Sequence, residues 1–289
     1  MSVAISRSEV AEPPKVTVAG EGRVSFAADA QGVTRLKDLY HSDPIRIVFP
    51  TPPRGEIPSA VFVTTSGGLV GGDRLELCAS VGEGASALVT VQAAEKIYRS
   101  AGQDCIINVS LDCRGDAWME WLPQETILFE GARLRRRTSV DLAPGGQLLA
   151  GELLVLGRGA MGEKITRGLV RDHWEIRRDG QLVWADALCL EDEIERVIAH
   201  PAGLGGATAL GTIVYGAEDA PERLDAARAL LENADRDVRG GATVVNGLLL
   251  IRLLAEDPYP LRRAYGDFWA AFRNLTGGHE AQLPRLWHI

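Results

Sequence analysis

From Val16 to about Gly216 the chain reads as short runs of alternating apolar and polar residues, each closed by a turn signal. Asp73 to Val81 puts Leu75, Leu77, Ala79 and Val81 on one face and Arg74, Glu76, Cys78 and Ser80 on the other, the period of two that marks a half-buried strand. Ile107, Val109, Leu111 and Cys113 stand against Asn108, Ser110 and Asp112 in the same way. Further strand candidates are Ser59 to Thr65, Ala87 to Val91, Ala117 to Trp121, Thr126 to Phe129, Gln147 to Leu156 and Gln181 to Leu190. Between them stand Gly71-Gly72-Asp73, Gly82-Glu83-Gly84, Arg114-Gly115-Asp116, Pro144-Gly145-Gly146 and Asp179-Gly180. Many strands on short turns predict a mainly β, antiparallel body, and Asp-Gly predicts a tight hairpin because it tolerates positive φ.

The last third changes period. Pro221 followed by Leu224, Ala227, Leu230 or Leu231, and Ala234 predicts one helix. Pro260 to Leu275 predicts a second, with Leu261, Tyr265, Phe268, Trp269 and Phe272 on one stripe and Gly277-Gly278 after it. Such a stripe is ordinarily core, and a partner surface is the alternative. Thr243 to Leu254 is apolar enough for one buried strand, although the run also fits a helix. Residues 1–15 carry Pro13-Pro14, several charges and no periodicity, and read as a flexible tail before a single β-rich domain, 16–289.

Composition excludes several classes of function. With 46% apolar and 24% charged residues the chain has material for a core and is not disordered as a whole. A formal charge of −8 offers no positive field for nucleic acid or an anionic membrane. No apolar run reaches the roughly 20 residues that span a bilayer, and MSVAISRSEVAEPPK lacks the apolar centre of a secretory signal, so a cytoplasmic protein is expected. Four cysteines (Cys78, Cys105, Cys113, Cys189) form no Cys-x-x-Cys pair, and five histidines are scattered. Cys105 and Cys113, eight apart on a strand, stand roughly 27 Å from each other at about 3.4 Å per residue and cannot share a metal. No tight zinc or nickel site is written in this pattern.

Enzyme motifs are equally absent. The glycine cluster Thr65 to Asp73 precedes a strand rather than a helix and has no phosphate-loop lysine, so it reads as a strand connection. There is no Gly-x-Ser-x-Gly elbow and no His-Glu-x-x-His. Glu152 and Glu163 are a conceivable glycosidase pair, which would have to stand about 5–10 Å apart. More informative are acids in strand-like apolar contexts: Glu95, Glu120, Glu125 and Glu152. The plain expectation for any one of them is an ion pair, such as Glu95 with Lys96 or Arg99 and Glu152 with Arg158, because a buried acid is costly unless compensated. As a set they also suit a hydrated acidic interior whose oxygen ligands hold and release a divalent ion.

At these segments the sequence resembles the urease accessory protein D family, called H in some organisms. The resemblance rests on Gly67-Gly-Leu-Val-Gly-Gly-Asp73, Val91-Gln-Ala-Ala-Glu-Lys-Ile-Tyr-Arg99, Met119-Glu-Trp-Leu-Pro-Gln-Glu-Thr-Ile127, Gly151-Glu-Leu-Leu-Val-Leu-Gly-Arg-Gly-Ala-Met-Gly-Glu163 and Leu283-Pro-Arg-Leu-Trp287, in that order from roughly Gly20 onward. One departure is Val91, where threonine is common. The resemblance implies a stacked-sheet or β-helix-like body with a few helices, no catalysis, and no tightly bound cofactor. It implies binding to apo-urease and, through accessory protein F, recruitment of the nickel GTPase, accessory protein G. It also implies nickel in transit, for which Asp73, Glu95, Glu125, Glu152 and Glu163 are the candidate route, with Asp73 alternatively a turn cap. Tyr265, Phe268, Trp269, Phe272, Pro284, Arg285 and Trp287, on the second helix and the tail from Gly277 to Ile289, are the candidate surface for accessory protein F. The competing readings are a carbohydrate-active β-fold hydrolase and an interaction module that never touches metal.

Overall fold

A computed structural model describes residues 17–288; the tail expected over residues 1–15, and Ile289, lie outside them. The chain winds between two facing sheets. It opens with β1 (Ala19–Ala28) and β2 (Thr34–His41), an antiparallel pair at one edge of a seven-stranded sheet. It crosses to a ten-stranded sheet for β3 (Ile45–Val48) and β4 (Ser59–Thr64), then coils: β5 (Arg74–Val81) in the first sheet, β6 (Ser86–Val91) and β7 (Glu95–Ile97) in the second. The next coil is β8 (Cys105–Cys113), then β9 (Trp118–Leu122) and β10 (Thr126–Leu128). The third is β11 (Arg133–Leu142) and β12 (Gln147–Leu156). A hairpin, β13 (Leu169–Arg178) and β14 (Gln181–Glu191), closes the seven-stranded sheet, and a short helix α1 (Ile194–Ala199) leads back. β15 (Ala209–Gly216), α2 (Leu224–Glu232), β16 (Val238–Val245), β17 (Leu248–Ala255) and α3 (Pro258–Gly277) complete it.

The mainly β, stacked-sheet body with helices late in the chain is as expected, but the strand direction is not. Among the described residues nine of the fifteen strand pairings are parallel, including β1 with β5, β5 with β8, β8 with β11, and β11 with β13. The reason lies in the corners. Gly82-Glu83-Gly84, Arg114-Gly115-Asp116 and Pro144-Gly145-Gly146 each carry the chain from the seven-stranded sheet to the other, so the strand that returns one coil later runs the same way. The corners stack: the Gly84 amide donates to the Gly115 carbonyl at 3.2 Å. A short turn and a period of two look alike in a hairpin and in a coil, and only the partner differs. Asp179-Gly180 does make the expected hairpin, with φ of 50° and 74°.

Thr243 to Leu254 is two strands, not one. Asn246 and Gly247, at φ 48° and 78°, form the two-residue turn that joins β16 to β17.

The core has two layers. Between the sheets pack Phe26, Phe62, Leu75, Leu111, Trp121 and Trp174. The outer face of the ten-stranded sheet is covered by α2, α3 and the C-terminal segment, through Leu149, Tyr215, Ile251, Trp269 and Phe272. That sheet is thus buried on both sides, and β9 is buried at every position. Its one acid, Glu120, is wholly buried and accepts hydrogen bonds from Trp118 Nε1 (3.0 Å), Trp269 Nε1 (2.7 Å) and Arg273 Nε (3.0 Å). Arg273 also pairs with Glu56 at 3.1 Å, so a buried carboxylate is fully compensated and ties α3 to the sheet.

Candidate functional site

Two strands of the ten-stranded sheet break at the same level. β6 and β7 are separated by Gln92–Ala94, and β9 and β10 by Pro123–Glu125, while neighbouring β12 runs past unbroken. Ala93 takes a left-handed backbone, φ 61°, and Pro123 has no N–H for a ladder. The ladder resumes at Glu95 opposite Thr126. The gap is a window in the sheet, with Gln92 and Ala93 on its exposed lip. Behind it, between the sheets, is a cavity of about 50 Å³ whose walls include Glu95, Glu152, Arg136, Thr126, Thr138 and Trp174.

The wall opposite the window is ionic. Arg136 Nη2 donates to Glu152 Oε2 at 2.7 Å, Nε to Asp172 Oδ1 at 3.0 Å, and Nη1 to Thr126 Oγ1 at 3.0 Å; Trp174 Nε1 donates to Glu152 Oε2 at 2.8 Å. All five side chains are buried. Burial, then the charge of neighbouring Asp172, pushes the Glu152 carboxyl up to about 8 against the pull of Arg136. Burial also works against the Arg136 cation, but Asp172 and Glu152 outweigh it and raise its pKa.

Glu95 differs. Its Oε2 accepts from Thr64 Oγ1 at 2.8 Å, and among the described residues it makes no ion pair, with Lys96, Arg99 or any other cation. Burial raises its pKa, opposed by Thr64 and Lys96. It is the acid of this cavity whose charge has no close partner.

The other expected route acids lie elsewhere. Asp73 accepts from the Val18 amide (2.9 Å) and the Val70 amide (2.8 Å), capping the glycine turn. Glu125 pairs with Arg262, and Glu163 with Arg158, which holds its carboxyl below the usual range. Of the five candidates the fold brings Glu95 and Glu152 to one cavity. Glu152 pairs with Arg136 rather than the anticipated Arg158. Among the described residues no three His, Cys, Asp or Glu side chains gather as a metal-ligand set. Burial pushes the Cys105 and Cys113 thiols up to about 12, so neither offers a thiolate.

The aromatic stripe of α3 faces inward. Tyr265, Trp269 and Phe272 are 0% exposed, Phe268 4% and Trp287 5%, with Trp287 stacked on Tyr265 at 5.8 Å. Of the candidate docking residues Arg285 is exposed and Pro284 half-buried. Arg136 and Asp172 were not singled out in the sequence, since Arg133-Leu-Arg-Arg-Arg137 looks like a solvated charge run. Alternation does mark them: Leu134, Val140 and Leu142 point inward, so Arg136 must too, and Val170, Trp174 and Ile176 fix Asp172 likewise.

A sequence model described as UreD urease accessory protein matches residues 18–288. The chain is 45% identical over 279 residues to a protein of Magnetococcus marinus named urease accessory protein UreD, covering 96% of each. It is 44% identical over 272 residues to one of the same name from Methylobacterium sp. (92% and 94% covered), and 44% over 294 residues to one from Xanthobacter autotrophicus (99% and 98%).

Proposed function

Because the chain belongs to the UreD family of urease accessory proteins and so has a role in urease maturation, we propose that it is a non-catalytic scaffold that holds apo-urease while nickel is inserted. On this reading it works in the cytoplasm, engages accessory protein F, and through F the nickel GTPase, accessory protein G. No helix among the described residues is long and apolar enough to cross a membrane.

The observation that supports a metal-handling role is Glu95: a carboxylate on the wall of a largely apolar cavity, at a window in the sheet, hydrogen-bonded to a hydroxyl and, among the described residues, in no ion pair. Oxygen donors of this kind hold divalent ions loosely enough to release them. The cavity is far smaller than the roughly 300–1,000 Å³ of a small-molecule pocket, which argues against a sugar substrate at Glu95 and Glu152.

A purely mechanical scaffold has its own support, since Glu125, Glu152 and Glu163 are already engaged by arginines. Glu95→Gln separates the two: it keeps shape and hydrogen bonding and removes the charge. Urease activity and nickel content in cells carrying this variant should fall while pull-down of apo-urease and thermal stability hold. Full activation would leave the mechanical scaffold.

A further inference from the structure

The window beside Glu95 is bordered by a residue that the far end of the chain holds. Gln124 lines the cavity and is 4% exposed; its Oε1 accepts from Arg262 Nη1, and its Nε2 donates to the Leu286 carbonyl at 3.0 Å. Arg262 continues the tie. Its Nη2 donates to the Trp287 carbonyl at 2.8 Å, its guanidinium lies 4.6 Å from the centre of the Trp287 ring, and it pairs with Glu125 on the same border. One side chain from the start of α3 thus joins the border of the window to the C-terminal segment.

The first half of that segment is tied separately, the Glu280 and Gln282 carbonyls to Arg273 and the His279 carbonyl to Asn274, whereas among the described residues 285–288 make no side-chain hydrogen bond beyond those to Gln124 and Arg262. After α3 ends at Gly277, capped by Gly278 in a left-handed backbone of φ 67°, the chain has no regular structure until the single turn Arg285–His288. Its seat also leaves polar groups unmet: Trp287 Nε1, and the hydroxyl of the Tyr265 ring on which it stacks, are buried without hydrogen-bond partners among the described residues. A buried donor without an acceptor favours the state in which water reaches it. The closed seat therefore combines specific ties at the window with an uncompensated cost beneath them, the balance expected of a part that detaches before the sheets do.

We infer that residues 285–288, held by Arg262, are a latch on the window, and that detaching the latch frees Gln124 and opens the Glu95 cavity. The consequence for metal handling rests on the function proposed above; the opening itself does not.

The test uses the full chain with Thr138→Cys, which puts a thiol on the cavity wall, and follows alkylation by iodoacetamide residue by residue with mass spectrometry. Buried Cys113, outside the cavity, reports opening of the whole fold. Arg262→Met removes the ties, and Arg262→Lys keeps a charge but cannot bridge Gln124, Glu125 and Trp287 together. In both, labelling at position 138 should rise about tenfold or more with Cys113 unchanged, as local opening requires. An unchanged rate at 138, or one that rises only in step with Cys113 in both variants, overturns the latch. No nickel is present in this assay, so failure of the metal-handling reading would leave its result standing.

Discussion

Glu152 accepts a hydrogen bond from Arg136 at 2.7 Å across the space between the two sheets. The cavity at the window therefore has one acid held by an arginine from within, Glu152, and one that makes no ion pair among the described residues, Glu95. A cation that entered would meet Glu95 first and the Arg136 guanidinium behind it. The two carboxylates have different work: Glu152 holds the sandwich together, and Glu95 is available.

Arg136→Met should be strongly destabilising, because it strands the buried Asp172 carboxylate without a cation and takes a hydrogen-bond donor from Glu152. Removing one partner of a buried pair costs about 3–5 kcal/mol. Urea denaturation should show the loss as a lower midpoint, and a variant as stable as the native chain would remove Arg136 from its structural role.

Glu152 predicts a pH dependence. Its carboxyl is raised from 4.5 to about 8, so the fold binds that proton more tightly than the unfolded chain does. The stability this supplies is complete below about 4.5 and is lost as pH rises through about 8. The melting temperature should therefore decline between pH 5 and 8.5, and Glu152→Gln, which cannot ionise, should flatten that slope. An equal slope in both proteins would assign the dependence to another group.

The period of two exposed β5 and β8 in the sequence because each buries one face, and it was enough to make the body mainly β. It could not tell a coil from a hairpin, since both need the same strand and turn residues. In the ten-stranded sheet the signal weakens: β12 is buried at nearly every position, and β17 follows β16 with only Asn246-Gly247 between two apolar runs. The cavity was half legible. Glu95 and Glu152 stood out against apolar neighbours, whereas Arg136 was hidden among arginines and could be found only by counting inward positions along β11.

Gly151 on β12 lies under α3, where a Cβ would stand 2.1 Å from the Tyr265 hydroxyl and 2.6 Å from the Thr212 carbonyl. Gly151→Ala should thus cost about 1–3 kcal/mol as overpacking. Tyr265→Phe alone should be close to neutral, since that hydroxyl is buried without a partner among the described residues, and the double variant should recover part of the loss. Strict additivity in denaturation experiments would show that the hydroxyl is not what the alanine meets.

The candidate surface for accessory protein F divides by burial, and mutation can separate its halves. Trp269 and Phe272 are fully buried against the ten-stranded sheet, and Trp269 also donates to Glu120. Truncating either to alanine should cost about 3–5 kcal/mol, and Trp269→Ala in addition leaves a buried carboxylate short of a donor. Any loss of binding in these variants should then track loss of fold, visible as a lower melting temperature. Arg285 is exposed on the latch, and Arg285→Ala should leave the melting temperature within about 1 °C, because surface changes stay near ±0.5 kcal/mol. Pull-down of accessory protein F by Arg285→Ala at native stability then reads the interface directly. Weakened capture places the partner on the C-terminal segment; full capture, with Trp269→Ala and Phe272→Ala failing only as they unfold, confines the aromatic stripe to the core and removes the tail from the docking surface.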